Sequence, residues 1–247
     1  MQKEKISVGY TNTSYKQGDL FIQEKTYNGM NHQLNLDELR NLDFVPELIS
    51  HNHEQTVWKW IESKPLVLTD ENIKKIAINF KKLHDSKCEF PKNNIAQRIK
   101  NYLKILSEKN INIKEVNDFY NKVNLVLSNM DKSTPLHNDI YQSNLIWGKD
   151  DKIYFVDWEY ATMGDKHFDL AFFICAGHLD QRQEELLLKT YGNYSEEYLL
   201  QHKVVIFYLI ILWVNAQKVK HFDDKPYIEK MLKVEEKFQQ RKAQNFS

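Results

Sequence analysis

The chain has 247 residues, with 34 Lys and Arg against 34 Asp and Glu, so its formal net charge is zero. This length suffices for one large domain or for two lobes. The charge balance disfavours proteins whose overall field attracts nucleic acid or an anionic membrane, and an anionic ligand therefore needs a local site.

Cysteine content and hydropathy bound the cellular location. The two cysteines, Cys88 and Cys175, do not make a disulfide framework, which is typical of a reducing cytosol. The first residues carry no apolar signal core. The longest apolar run, Val204–Val214, is shorter than the ~20 residues of a membrane span and predicts a buried helix. We therefore expect a cytoplasmic protein with no membrane or nucleic-acid partner, and its oligomeric state stays open.

Residues 1–62 are predicted to form a small β-rich lobe. Ser14–Lys16 and Leu20–Lys25 flank a turn at Gly18 and predict a hairpin. Thr56–Ile61 is aromatic and β-branched, as strands are. The stretch "NLDELRNL" between these strands predicts a short helix of about two turns.

Residues 63–247 are predicted to form a larger, mainly helical lobe. Apolar residues recur three and four positions apart, as on the buried face of a helix. A short hairpin interrupts this pattern, with predicted strands at Asn144–Trp147 and Lys152–Val156. Helices are predicted from Thr69 to "KKLHDS" and over Asn94–Ser107, Ile113–Asn129, Leu170–Gly177, Arg182–Tyr191, Ser195–Lys218 and Pro226–Lys242.

A polar cluster surrounds the predicted hairpin, in "PLHNDIYQSNLIW" and "YFVDWEYA". A hairpin register would bring Asn144 and Asp157 side by side, and their amide and carboxylate oxygens suit Mg²⁺. Asp139 would then be available to accept a proton from a hydroxyl group that attacks a phosphoryl group. A polar loop between two core segments explains a His-x-Asp sequence equally well, so the residues alone leave both interpretations open.

Matches to a known family favour the phosphoryl-transfer site over the polar loop. "HNDIYQSN" followed by "FVDWEY" resembles the His-x-Asp-x4-Asn and Asp-x-Glu elements of the choline/ethanolamine kinases, within the wider aminoglycoside-phosphotransferase-like group. "GYTNTSY", "WIESKPL", "KKLHDS" and "FDLAFF" are similar to other segments of that family. The resemblance implies an α+β, bilobal, protein-kinase-like fold. Residues 1–62 would be the nucleotide-binding lobe, and residues 63–247 would be the catalytic and substrate-binding lobe.

The resemblance also implies roles in the polar cluster. Asp139 would be the catalytic base and would contact the substrate, and His137 would brace the catalytic loop. Asn144, which also belongs to the catalytic loop, and Asp157 would bind magnesium, with Glu159 as an auxiliary acid.

Nucleotide and acceptor positions follow from the same resemblance. Tyr160 and Trp213 would line an acceptor pocket, where aromatic faces attract a quaternary ammonium group. The residues implied to meet ATP, at its phosphates or its adenine ring, are Thr11, Asn12, Ser14, Lys25 and Ile61.

Some positions depart from the family pattern. The strand after the nucleotide loop usually carries a basic residue that pairs with a Glu. Here the strand reads "LFIQEK", in which Gln23, Glu24 and Lys25 are alternative matches to the basic residue, and a loose alignment places the Glu at Asn35. A contact between Gln23 and Asn35, or a repositioned Lys25, could replace the pair. In the acceptor pocket, Ala176 stands where choline kinases have an acid, and Ile210 replaces a tryptophan.

The function expected from the sequence is that of a kinase that uses ATP and Mg²⁺ to phosphorylate the hydroxyl group of choline or a similar small amino alcohol. One alternative is a kinase for another cationic alcohol, such as thiamine or an aminoglycoside. Another is a kinase-like binding protein with weakened ATP handling. A metal hydrolase is disfavoured, because the cluster lacks additional His ligands.

Overall fold

Residues 2–6 and 11–245 are described by the computed structural model. In this part of the chain, an antiparallel sheet forms the N-terminal lobe, in the order β1-β2-β3-β5-β4. As predicted, its second and third strands form a hairpin, and Gly18 turns it at φ +59°. The strands are β1 (Glu4–Ile6), β2 (Thr13–Gln17), β3 (Leu20–Glu24), β4 (Leu48–His51) and β5 (Gln55–Lys59).

The register of this sheet aligns three polar residues on neighbouring strands. Ser14 pairs with Gln23, and Gln23 pairs with Thr56. Ser14 and Thr56 are buried, and all three residues line a cavity that is shared with the C-terminal lobe. Since side chains alternate between the faces of a strand, the row of Ser14, Gln23 and Thr56 lies on the face of the sheet that is turned toward this cavity.

The segment between β3 and β4 differs from its prediction. Instead of two turns of α-helix, Leu36–Leu39 forms a single 3-10 turn. Asn35 caps this turn, because its Oδ1 accepts a hydrogen bond from the main-chain N–H of Asp37 at 3.3 Å. Just before it, the chain crosses to the C-terminal lobe, where the main-chain N–H of His32 donates to the carbonyl oxygen of Glu159 at 2.7 Å.

Helices form most of the C-terminal lobe, and local capping explains several of their ends. The helices predicted to begin at Thr69 and Ser195 do so, and both side chains accept hydrogen bonds from the first helical turn. The helix α4 begins earlier than predicted, because Asp165 caps it. The helices are α1 (Asp70–His84), α2 (Ile95–Glu108), α3 (Lys114–Asn129), α4 (Lys166–Ala176), α5 (Gln181–Tyr191), α6 (Glu196–Ala216) and α7 (Lys225–Asn245).

Helix α6 forms the centre of this lobe and packs against α2, α3, α4 and α7. It is long and apolar enough to cross a bilayer by length and composition, but 78% of its apolar window is buried inside the fold. This burial identifies α6 as a core helix, which confirms the prediction made for Val204–Val214.

Short strands frame the loop that carries the polar cluster. Strands β7 (Thr134–Leu136) and β10 (Thr162–Gly164) pair with each other, while β6 (Ser63–Lys64), β8 (Leu145–Gly148) and β9 (Ile153–Phe155) form a small sheet in that order. The loop of residues 137–144 therefore runs between two pairs of strands. The boundary predicted at residues 62 and 63 falls just before β6 and stays a prediction.

Candidate active site

The β8–β9 hairpin brings Asn144 and Asp157 to the same end of a small sheet. Leu145 pairs with Phe155, and the main-chain N–H of Val156 donates to the carbonyl oxygen of Asn144 at 3.0 Å. Asn144 immediately precedes β8, and Asp157 follows β9 with a left-handed backbone at φ +65°. The predicted register is therefore the observed one.

Asp139 is held by Asn144 within the same loop. The Nδ2 of Asn144 donates to the Oδ2 of Asp139 at 3.1 Å and to its carbonyl oxygen at 2.7 Å. This commitment of the amide nitrogen orients the amide oxygen of Asn144 away from Asp139. Burial raises the pKa of Asp139 well above its usual range, the nearby carboxylates Asp157 and Glu159 add to this, and Arg98 opposes it.

His137 braces the loop from inside the core. Its ring is fully buried against Trp158, at 4.4 Å between ring centroids, and its Nε2 lies 2.9 Å from the carbonyl oxygen of Val156. Since a carbonyl oxygen only accepts, Nε2 carries the proton in this contact. The ring therefore links the loop to the strand that precedes Asp157.

Asp169 on α4 holds the same loop through its backbone. Its carboxylate accepts hydrogen bonds from the main-chain N–H groups of His137 at 2.8 Å and Asn138 at 2.7 Å, and it lies 3.3 Å from the Nε2 of His84. No role was predicted for Asp169, although it belongs to the "FDLAFF" segment that resembles the family. Asp169 therefore anchors the start of the 137–144 loop to α4.

Stability should depend on pH through His137. Burial lowers the pKa of His137 from 6.5 to about 4. The unfolded chain then binds the proton more tightly, so this contribution to stability is complete above pH 6.5 and is lost as the pH falls toward 4. Between pH 7 and pH 5 the loss amounts to about 2 kcal/mol.

The buried carboxylates with raised pKa act in the opposite direction, so the test compares two proteins. Urea titrations of the wild type and of His137→Gln measure their unfolding free energies at both pH values. Because Gln retains a donor for the carbonyl oxygen of Val156 but does not titrate, we expect the difference between the two proteins to fall by about 2 kcal/mol from pH 7 to pH 5. A difference that is independent of pH would contradict the buried neutral state of His137.

Asp157 and Glu159 are neighbouring carboxylates whose pKa values shift in opposite directions. Burial and the charge of Glu159 raise the pKa of Asp157 to about 7, while Gln23 donates from Nε2 to its Oδ1 at 3.2 Å. Burial also disfavours the charge on Glu159, but hydrogen bonds from His32 and Asn31 outweigh this and lower its pKa. An added cation would favour the ionised form of Asp157.

The donor set fits a hard cation. The amide oxygen of Asn144 and the carboxylate of Asp157 are oxygen ligands of the kind that Mg²⁺ binds together with water and substrate phosphates. Within residues 2–6 and 11–245, no three His, Cys, Asp or Glu side chains group as a metal site. This is compatible with a magnesium site that draws part of its coordination from the substrate.

One cavity of about 1050 Å³ brings the predicted residues together. Both lobes line it, and the predicted nucleotide-side and acceptor-side residues meet in it. Gly9 and Tyr10, at the start of the predicted nucleotide loop, lie outside the described residues. The predicted residues that line the cavity are Thr11, Asn12, Ser14, Lys25, Ile61, Asp139, Asn144, Asp157, Glu159, Tyr160 and Trp213; His137 lies behind them in the core.

Neither of the replacements suggested for the family's ion pair in the N-terminal lobe is observed. Gln23 faces Asp157, whereas Asn35 caps the 3-10 turn, so the suggested contact between Gln23 and Asn35 is not formed. Lys25 lines the cavity, but its Nζ donates to the carbonyl oxygen of Asn52 at 2.7 Å. Gln23 is therefore the β3 side chain that reaches the proposed metal ligand.

The acceptor side of the cavity is aromatic. Trp213 stacks with Phe222 at 6.1 Å between ring centroids, and Phe222 contacts Tyr227 at 5.1 Å. Tyr160 is largely buried, and the guanidinium of Arg98 covers its ring at 4.0 Å from the centroid. Arg98 is 5% exposed, and no sequence pattern predicted that it would lie at this cavity.

Comparisons with known proteins agree with this geometry. The family profile for choline/ethanolamine kinase matches residues 22–240. A LicA homologue from Mycoplasma capricolum subsp. capricolum is 44% identical over 215 residues, which are 87% of this chain and 90% of that protein.

Two solved structures share the fold. The choline kinase LicA from Streptococcus pneumoniae superposes with a TM-score of 0.76 at 21% identity, covering 95% of this chain and 92% of that chain. A structure of LicA in complex with AMP gives a TM-score of 0.74 at 20% identity, over 96% and 92% of the two chains. The predicted α+β, bilobal, kinase-like fold is thereby confirmed. With a family profile matched over residues 22–240 and a relative 44% identical over 87% of its length, the chain belongs to the choline/ethanolamine kinase family.

Proposed function

We propose that this protein transfers the γ-phosphoryl group of ATP to the hydroxyl group of choline or a similar amino alcohol. The observation that carries the proposal is the position of Asp139. Its carboxylate is held by Asn144 and lines the same cavity as the predicted nucleotide residues and the aromatic acceptor side. A base between two substrate sites is what a direct phosphoryl transfer requires.

In this proposal Asp139 accepts the proton of the acceptor hydroxyl as its oxygen attacks the γ-phosphorus, and ADP leaves. Asn144 orients Asp139 through Nδ2, and its Oδ1, together with Asp157, would hold Mg²⁺ with Glu159 nearby. When bound, Mg²⁺ supplies charge neutralisation on the phosphates. Because its pKa is raised, the ionised carboxylate of Asp139 is a stronger base than an ordinary Asp side chain.

On the nucleotide side, Ile61 lines the cavity, which supports a main-chain contact with adenine. Ser14 also lines it and would lie over the phosphates. Thr11 and Asn12 continue this lining toward the acceptor side. Lys25 would approach the phosphates only by exchanging its bond to Asn52.

The acceptor side favours a quaternary over a primary ammonium group. Among the described cavity residues, the carboxylates are Asp139, Asp157 and Glu159, all at the catalytic end, and Ala176 occupies the family's acidic position. A primary ammonium group needs hydrogen-bond acceptors when it leaves water, whereas a quaternary group makes none and is attracted by aromatic faces. We therefore propose choline as the preferred acceptor.

ADP release measured by coupled assay, over choline, ethanolamine, thiamine and aminoglycosides, tests this choice. We expect kcat/KM for choline to exceed that for ethanolamine by about 10-fold, which corresponds to roughly one lost hydrogen bond to a charged group. Trp213→Ala should raise KM for choline by about 3- to 30-fold and leave KM for ATP unchanged, since a desolvated cation–π contact contributes about 0.5–2 kcal/mol.

Trp147→Ala is the matched control, because Trp147 lies outside the cavity lining and contacts Lys64 instead. Higher kcat/KM with thiamine or an aminoglycoside would identify a kinase for another cationic alcohol. Absence of Mg·ATP binding at millimolar concentration would instead favour a kinase-like binding protein.

We place this activity in the cytoplasm. Cys88 and Cys175 are both free thiols, which supports a reducing compartment. The substrate partner is a small molecule, and the balanced net charge supports neither nucleic acid nor an anionic membrane as a partner.

A further inference from the structure

Three side chains of the N-terminal lobe converge on one buried carboxylate oxygen of the C-terminal lobe. The Oε2 of Glu159 lies 3.1 Å from the Nδ2 of Asn12, 2.8 Å from the Nδ2 of Asn31 and 3.2 Å from the Nε2 of His32. Asn31 is 2% exposed, and the side chains of His32 and Glu159 are buried. We call these three donors the Glu159 cradle.

Asn12 connects the cradle to the predicted nucleotide loop. Its Oδ1 accepts from the main-chain N–H of Thr26 at 3.0 Å and lies 2.9 Å from the Nε2 of His32, while its Nδ2 donates to Glu159. Both ends of the amide are therefore engaged, and its orientation is fixed. Because Asn12 immediately precedes β2 and lines the cavity, a ligand that contacts Asn12 also stabilises the cradle.

The cradle also reaches the acceptor wall. The main-chain N–H of His32 donates to the carbonyl oxygen of Glu159 at 2.7 Å, and the Nδ2 of Asn28 donates to the phenol oxygen of Tyr160 at 3.0 Å. The stretch of residues 26–33 is therefore hydrogen-bonded along the 3-10 turn that carries Glu159 and Tyr160. Movement of this stretch would shift the ring that lines the cavity.

We expect the Glu159 cradle to form or release as a unit. A carboxylate that stays buried after losing one donor has a higher free energy, so a partly broken cradle is less favourable than a fully formed or a fully released one. Two ligands that both favour the formed state raise each other's affinity by the same factor.

Resting on the proposed kinase function, we propose that the Glu159 cradle couples the two substrate sites. A nucleotide that contacts Asn12 stabilises the formed cradle, and through Asn12 and His32 it holds Glu159 and Tyr160 in position. Nucleotide and acceptor then each strengthen the binding of the other. Asn12, Asn31 and His32 act as positioning residues, because they act through Glu159 and Tyr160.

Isothermal titration measures this coupling directly. Choline is titrated into the free protein and into the protein saturated with Mg·AMP-PNP, and the ratio of the two dissociation constants is the coupling. We expect a ratio of about 5- to 150-fold for the wild type. In His32→Leu the ratio should fall to within about 2-fold of one, because both contacts of Nε2 are lost.

His32→Gln is the matched control. His32 has a left-handed backbone at φ +55°, so Leu and Gln share the same backbone cost, but only Gln can present a donor near the position of Nε2. We expect His32→Gln to retain most of the coupling ratio. If His32→Leu does not fold, Asn12→Ala removes the loop's own link to Glu159 and should abolish the coupling in the same way.

Three results would overturn the proposal. A wild-type ratio of one, with ADP still released in the presence of choline, would overturn the coupling and leave the kinase function intact. A full ratio in His32→Leu and in Asn12→Ala would show that the coupling runs through other residues. A protein that binds neither Mg·AMP-PNP nor choline would overturn the proposed function together with the coupling.

Discussion

Asp139→Asn should lower kcat by about 10²–10⁴-fold while the protein still folds and binds Mg·ATP. The amide of Asn cannot accept the hydroxyl proton, so the attacking oxygen stays protonated in the transition state. The substitution leaves the main-chain carbonyl of residue 139 in place, and this carbonyl accepts one of the two hydrogen bonds from Asn144. Loop geometry is therefore expected to persist, and the loss should appear in kcat rather than in KM for ATP.

Steady-state ADP release and nucleotide titration by calorimetry separate the two effects. Asp118→Asn is the control, because Asp118 is an exposed carboxylate on α3 that pairs with Lys114. Activity of Asp139→Asn within about 3-fold of the wild type would exclude Asp139 as the base. Glu159→Gln would then be the next variant to measure, since Glu159 is the neighbouring carboxylate that stays ionised.

The parts of the fold that could be predicted are those set by local chemistry. The helix starts at Thr69 and Ser195 depend on a capping side chain and the next helical turn, and both helices begin where they were predicted. The β8–β9 register depends on a short turn between two apolar runs, and it placed Asn144 beside Asp157. Such features involve residues close in the chain, so a pattern of residue types suffices to predict them.

The parts that could not be predicted depend on contacts distant in sequence. The stretch of residues 26–33 has no regular structure of its own and is held by Glu159 and Tyr160, with Asn31 and Glu159 separated by 128 positions. Arg98 reaches Tyr160 from α2, and no periodicity indicates that a helical Arg will cover that ring. Gln23 was seen only as a departure from a pattern, and its contact with Asp157 required the packing of the two lobes.

Asp169 is held by contacts of the same long-range kind, and we expect its removal to lower stability more than any other substitution proposed here. It is fully buried and accepts hydrogen bonds from the main-chain N–H groups of His137 and Asn138, with His84 at 3.3 Å. Asp169→Ala leaves these buried donors without an acceptor. Each unsatisfied buried donor costs about 1–3 kcal/mol, and breaking a buried charged contact costs about 3–5 kcal/mol. We expect the free energy of unfolding to fall by about 3–5 kcal/mol.

Urea unfolding measures this loss, and hydrogen exchange locates it. The main-chain amides of His137 and Asn138 should lose protection first in Asp169→Ala, since their acceptor is the group removed. Asp118→Ala, at an exposed position, should change stability by less than about 0.5 kcal/mol. A loss below about 1 kcal/mol in Asp169→Ala would mean that water or another acceptor satisfies these amides. Because the same two amides begin the loop that carries Asp139, a folded Asp169→Ala protein should also show a lower kcat, which ties the stability of this buried carboxylate to the position of the proposed base.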